Sequence, residues 1–269
     1  MTTMGKITIK DFQKMKDEGI KITMISAYTY PLARIIDEIG IDSILIGDSL
    51  GMTVLGYENT LEVTIEDSIR HSQAVARGTK RAHIIGDMPF LTYGINVEET
   101  VRNAGRLVKE GKCESVKLEG GEERAEEIEE IKAIGVPVLG HIGLTPTYVN
   151  EFGGFKVQGK ESKDEERLIK HAKKLEEAGI YALIIESVPW KLAKKITEEL
   201  SIPTIGIGAG EYCDGQVLVI DDLIGLTFDL KPKFVKKYAD VNSIIKNAVI
   251  EFAEEVKSGK FPSQEHRYD

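Results

Sequence analysis

At 269 residues the chain can form one large α/β domain with a sizeable core, and a single barrel of roughly 250 residues fits that length. Its 42% hydrophobic and 29% charged residues describe an ordinary globular protein, and no apolar run approaches the about 18 residues that cross a bilayer. The formal net charge of -9, with no sustained Lys/Arg stripe, argues against nucleic acid as the main partner, because phosphate binding needs clustered positive charge.

A small-molecule substrate and no membrane partner are therefore expected. The opening stretch MTTMGKITIKDFQKMKDEG has no apolar core of a signal peptide and carries acidic residues unusual in a transit sequence, which predicts a cytoplasmic location. Cys113 and Cys213 stand far apart without C-x-x-C spacing and are read as buried packing residues.

Short apolar runs alternate with longer amphipathic stretches from Lys21 onward. In chain order the runs are KITMISAY (21–28), SILIGDS (43–49), HIIGDMP (83–89), SVKLEG (115–120), PVLGHIG (137–143), ALIIES (182–187), PTIGIGAG (203–210) and QVLVIDDL (216–223). Segments such as 97–111 and 165–179 repeat apolar residues at three or four and end in Gly, the pattern of helices packed outside a sheet. Eight βα repeats predict an α/β fold, a (βα)8 TIM barrel with extra C-terminal helices after Lys231, as one domain over residues 1–269. An open doubly wound sheet gives the same alternation, and the placement of polar residues is what favours the barrel. Residues 144–160, LTPTYVNEFGGFKVQGK, form the one long irregular stretch, expected to be a lid or binding loop. A helical tail is expected around 241–258.

Nearly every run ends in an ionisable or hydroxyl residue: Tyr28, Asp48 with Ser49, Asp87, Lys117 with Glu119, His141 and Glu186. In a parallel barrel those C-terminal strand ends form the rim that carries the active site. Strand alternation puts Lys117 and Glu119 on one face of SVKLE and Val116 and Leu118 on the other. Gathering Asp48, Asp87 and Glu119 round one pocket sets like charges together, at about 4 kcal/mol per pair for charges about 4 Å apart at an effective dielectric near 20. Lys117 offsets one of them; shared protons or a divalent cation must relieve the rest. Oxygen-only ligands favour Mg2+ over zinc, so His141 is read as a supporting group or a satisfied pocket histidine, not a ligand. The glycines of GIGAG (206–210) do not make a dinucleotide fingerprint, since Glu211 stands where the last Gly belongs. They fit either a close approach to ligand or a tight packing corner.

Taken together, LIGDSLGMTVLGYENT, GDMPF, VKLEGG, GHIGLTPTYVNEFGGFKVQG, ESVP and IGIGAGEYCDGQVLV closely resemble the ketopantoate hydroxymethyltransferase family, almost end to end. One departure is Thr29, where the family usually has Asp. The resemblance implies a bound Mg2+ and transfer of a hydroxymethyl group from 5,10-methylenetetrahydrofolate, or a related one-carbon donor, to 3-methyl-2-oxobutanoate. The product is ketopantoate, made through a metal-stabilised enolate in pantothenate and coenzyme A biosynthesis. By matching motifs it implies Asp48 and Asp87 as metal ligands that also contact substrate, and Glu119 as the third metal-site carboxylate. Ser49 and Lys117 become substrate-binding residues and Glu186 the general base. A homo-oligomer, a decamer, is implied as well. The phosphoenolpyruvate mutase and isocitrate lyase group is the nearest rival. It usually carries a lid with a reactive Cys, and neither EGKCESV nor GEYCDGQ supplies that setting. A noncatalytic barrel would have no use for Glu186.

Overall fold

The computed structural model describes residues 5–228 and 232–268, so the expected boundary at Lys231 lies outside the described residues. The chain divides into a unit that runs to Val219 and a second that starts at Ile220. In the first, eight parallel strands close into a barrel in sequential order. They are β1 (Ile22–Ser26), β2 (Ser43–Ile46), β3 (His83–Asp87), β4 (Ser115–Glu119), β5 (Val138–Gly143), β6 (Ala182–Glu186), β7 (Thr204–Ile207) and β8 (Gly215–Val219). Strand β8 pairs with β1 through Met24 and Val217, which closes the ring. The predicted (βα)8 barrel is the fold observed.

The helices between strands start and stop where local chemistry dictates. Thr64 caps the helix Ile65–Gly78 by accepting from Asp67 N, and Asp67 reaches back to the Thr64 N–H in a capping box. Asn96 caps Val97–Lys109 by accepting from Glu99 N. Gly179 ends Ser162–Ala178 in the left-handed conformation at φ +94, which a side chain would strain. Among the described residues no helix separates β7 from β8. The seven-residue connection GAGEYCD is too short and glycine-rich to hold one.

Period-two alternation stacks the lumen in layers. From floor to rim the inward series is His83, Ile85, Asp87 on β3; Ser115, Lys117, Glu119 on β4; Leu139, His141, Gly143 on β5; and Ala182, Ile184, Glu186 on β6. The lower layers pack Phe12, Met24, Leu45, Ile85, Leu139, Ile184, Ile205 and Val217 into one apolar cluster. Each such side chain contributes about 2 kcal/mol by leaving water. This dry floor is what fixes the rim residues above it. The run expected as strand through 223 ends at Val219, and Ile220–Leu223 turns into a short helix of the second unit. That unit also holds the predicted tail as helix Val241–Ser258, whose Ile244, Val249 and Phe252 are exposed.

Candidate active site

Strand register brings the predicted rim residues together. Asp87 pairs with Lys117 across β3 and β4, Glu119 with His141 across β4 and β5, and Gly143 with Glu186 across β5 and β6. Asp48 follows β2 by two residues, and its backbone N–H donates to Asp87 Oδ2 at 3.0 Å, which draws the two carboxylates to one place. Lys117 Nζ lies 2.7 Å from Asp87 Oδ2 and 3.0 Å from Glu119 Oε1. His141 stands between two acids: Nδ1 is 3.2 Å from Glu119 Oε1, and Nε2 is 3.2 Å from Glu186 Oε2, in ion-pair range without the alignment of a hydrogen bond. On the other side Ser49 Oγ is 2.7 Å from Tyr28 Oη.

Ligand atoms of Asp48, Asp87 and Glu119 all lie within 4.8 Å of one another, and all three residues are buried. Their environments differ. Both oxygens of Glu119 are used: Oε1 by Lys117 and His141, Oε2 by Thr147 N at 3.1 Å and Thr147 Oγ1 at 2.6 Å. Asp48 Oδ2 and Asp87 Oδ1 are buried with no hydrogen-bond partner. Buried polar atoms are rarely left so, and a cation is one of the recognised explanations.

Electrostatics agree. Burial, with the charges of Asp87 and Glu119, pushes the Asp48 carboxyl well above the usual carboxylate range, and burial raises Asp87 against the pull of Lys117. Burial also works to raise Glu119, but the Lys117 charge and the bonds from His141 and Thr147 hold it below its usual value. Lys117 is disfavoured by burial yet kept charged, well above its usual range, by Asp87, Glu119 and Asp48. Burial and Lys117 oppose a charge on His141, while Glu119 and Glu186 raise the imidazole to about 9. Two cationic side chains thus face four carboxylates, and the surplus negative charge sits beside the two orphaned oxygens. The residues present fit a hard divalent cation, with Asp48 and Asp87 as the open ligands. Gly47 adds room there: a Cβ on it would fall 2.9 Å from Ser49 Oγ and 3.8 Å from Asp87 Oδ2.

His141, left between two roles by sequence, is tied to both Glu119 and Glu186. Within GIGAG, Gly210 stands at a packing corner: it has φ +83, and a Cβ there would meet Trp190 Cβ at 2.5 Å. Both cysteines are free and buried. Sequence reading missed Thr147, Tyr93 and Gly47. Thr147 sits inside the predicted lid, which folds into two short helical turns, Pro146–Tyr148 and Val149–Phe152. Ser187, next to Glu186, holds φ +49, an uncommon conformation for a non-glycine residue.

Several solved barrels share this architecture at low identity. A phosphonopyruvate hydrolase solved with oxalate and Mg2+ superposes with a TM-score of 0.63 at 13% identity, covering 97% of this chain and 93% of that one. A phosphoenolpyruvate phosphomutase from Streptomyces platensis subsp. rosaceus gives 0.62 at 14%, covering 99% and 92%. These likenesses show the fold. Sequence relatives lie much nearer: the 3-methyl-2-oxobutanoate hydroxymethyltransferase of Clostridium botulinum (strain 657 / Type Ba4) is 54% identical over 261 residues, covering 97% of this chain and 95% of that protein. The enzyme of the same name from Syntrophomonas wolfei subsp. wolfei is 51% identical over 263 residues, covering 98% and 95%. The ketopantoate hydroxymethyltransferase family profile matches residues 6–264, and with these full-length relatives it establishes that the chain belongs to that family.

Proposed function

We propose that the chain transfers a hydroxymethyl group from 5,10-methylenetetrahydrofolate, or a related one-carbon donor, to 3-methyl-2-oxobutanoate, giving ketopantoate. The observation that carries this reading is the pair of buried, partnerless oxygens on Asp48 and Asp87 beside Lys117, with Glu186 across His141 from them. Asp48 and Asp87 would hold the cation, Mg2+ by the hardness of the donor set, with Glu119 behind them. When bound, the cation would supply Lewis acidity to the 2-oxo and carboxylate oxygens of the ketoacid, which makes its C3 proton easier to remove.

The chain's own residues do the rest. Ser49 and Lys117 bind the ketoacid, and Lys117 keeps its positive charge next to the oxygen where negative charge develops. Glu186, half-buried at the end of β6, takes the C3 proton. Protonated His141 holds Glu119 and Glu186 in their places. C3 then bonds to the methylene carbon while the two carbon–nitrogen bonds that held it to the folate break. Water gives its OH to that carbon, and its other hydrogen, with the C3 proton passed on from Glu186, ends on the two folate nitrogens as tetrahydrofolate leaves. We further propose a cytoplasmic homo-oligomer, a decamer; the exposed apolar side chains of helix Val241–Ser258 support association.

The test is product analysis with 3-methyl-2-oxobutanoate and methylenetetrahydrofolate, a modified pterin donor or free formaldehyde, with and without a chelator. Ketopantoate that disappears on chelation is expected. Its absence with every donor refutes the reading.

A further inference from the structure

We infer that Thr147 and Tyr93 are positioning residues for the Glu119 carboxylate, so that seating of the 144–160 segment and the geometry of the acid cluster form one event. The inference rests on the reading that the cluster holds a divalent cation, and it concerns residues that play no part in that reading.

A carboxylate offers about four acceptor directions. Those of Glu119 are met by Lys117 Nζ, His141 Nδ1, Thr147 N and Thr147 Oγ1, so one residue of the 144–160 segment supplies half the set. Thr147 has one hydroxyl proton, and it goes to Glu119 Oε2 at 2.6 Å. The 3.2 Å contact between Tyr93 Oη and Thr147 Oγ1 must therefore run the other way, with Tyr93 donating. The direction of the chain Tyr93 to Thr147 to Glu119 is fixed.

Tyr93, Thr147 and Glu119 are 8%, 6% and 0% exposed, which leaves little room for water to replace a lost donor. Tyr93 is itself held. The Arg124 guanidinium lies over its ring at 5.8 Å and bonds Glu127 at 2.6 Å, and Glu127 in turn accepts from Gly94 N at 2.7 Å. Both ends of the segment are tied to the stretch that carries the base: Leu144 N donates to Glu186 O and Gln158 N to Ser187 O. The segment thus spans the rim from Glu186 to Glu119, and lifting Thr147 strips Oε2 of both its donors. A hydrogen bond to a buried charge is worth about a tenfold to hundredfold change in an equilibrium.

The experiment compares amide hydrogen exchange over residues 145–152 in the metal-free protein with the Mg2+ dissociation constant from calorimetry. Thr147→Val keeps the shape and the backbone N–H but loses the hydroxyl. It is expected to speed exchange about tenfold and to raise the Mg2+ dissociation constant by a similar factor. Thr147→Ser should restore both, and Tyr93→Phe should move both less, in the same direction. Unchanged exchange in Thr147→Val, or faster exchange with an unchanged Mg2+ constant, overturns the inference. If the parent protein binds no Mg2+, the cation reading fails by itself, and the latch is decided by exchange alone. Glu119→Gln and Thr147→Val must then loosen residues 145–152 non-additively, and additive effects overturn it.

Discussion

Replacing Asp48 by Asn separates the metal-holding role of the cluster from its role in folding. Without a cation, burial and the charges of Asp87 and Glu119 drive the Asp48 carboxyl toward its protonated form. Two full charges within 4.8 Å would repel by at least about 3.5 kcal/mol at an effective dielectric near 20, which adds to burial in favouring the neutral carboxyl. Asn has nearly the shape of a protonated Asp and leaves the Asp48 backbone N–H on Asp87 in place. The metal-free Asp48→Asn protein should therefore stay within about 1 kcal/mol of the parent. The cation response should differ sharply. At a Mg2+ concentration about 100 times the dissociation constant the parent gains about 2.7 kcal/mol, which for a unit of this size raises the melting temperature by roughly 5–10 °C. Asp48→Asn loses a charged ligand and should show almost none of that rise. Thermal unfolding followed by calorimetry, with chelator and with Mg2+, reads both quantities. A variant that keeps the full Mg2+ shift, or that melts far below the parent in chelator, refutes the assignment of the orphaned oxygens to a cation.

Glu186→Gln should bind the ketoacid but lose about 100- to 10,000-fold in the rate of C3 proton exchange with deuterated solvent, while its Mg2+-induced melting shift persists; exchange at the parent rate would remove Glu186 as the base. His83 lies in the barrel floor with Nε2 2.9 Å from Ser115 Oγ, and burial lowers its imidazole from 6.5 to about 4. Its folded state binds fewer protons than its unfolded state, so stability is full above pH 6.5 and is lost as pH falls toward 4. Between pH 7.5 and 4.5 that loss is on the order of 2–3 kcal/mol, and denaturant titrations of His83→Gln should show the acid sensitivity reduced by a similar amount. An unaltered pH profile would contradict this. Light scattering should report a decamer in solution, and a monomer would rule out the proposed assembly.

Local pattern determined much of this protein. Eight apolar runs, most of them separated by helical periods, specify a parallel α/β sheet, and the polar residues at the run ends favour its closure into a barrel over an open sheet. Alternation with period two put Lys117 and Glu119 on the lumen face, and the strand-end positions of Asp48, Asp87, His141 and Glu186 marked the rim. Boundaries were less legible. The run from Gln216 reads as continuous strand, yet Val219 ends β8 and a helix begins at once, a change that apolar residues permit either way.

What only the tertiary structure decided is which oxygen meets which donor. Glu119 and Thr147 are 28 residues apart, and nothing in TPTYVN announces that one threonine supplies two of the carboxylate's four hydrogen bonds. Nor can sequence tell that Asp48 Oδ2 and Asp87 Oδ1 stay unpaired while both Glu119 oxygens are filled, or that His141 touches two acids. Side-chain chemistry is written residue by residue, but hydrogen-bond saturation depends on distances of tenths of an ångström, and closure of the barrel sets those distances by fixing the register of all eight strands together.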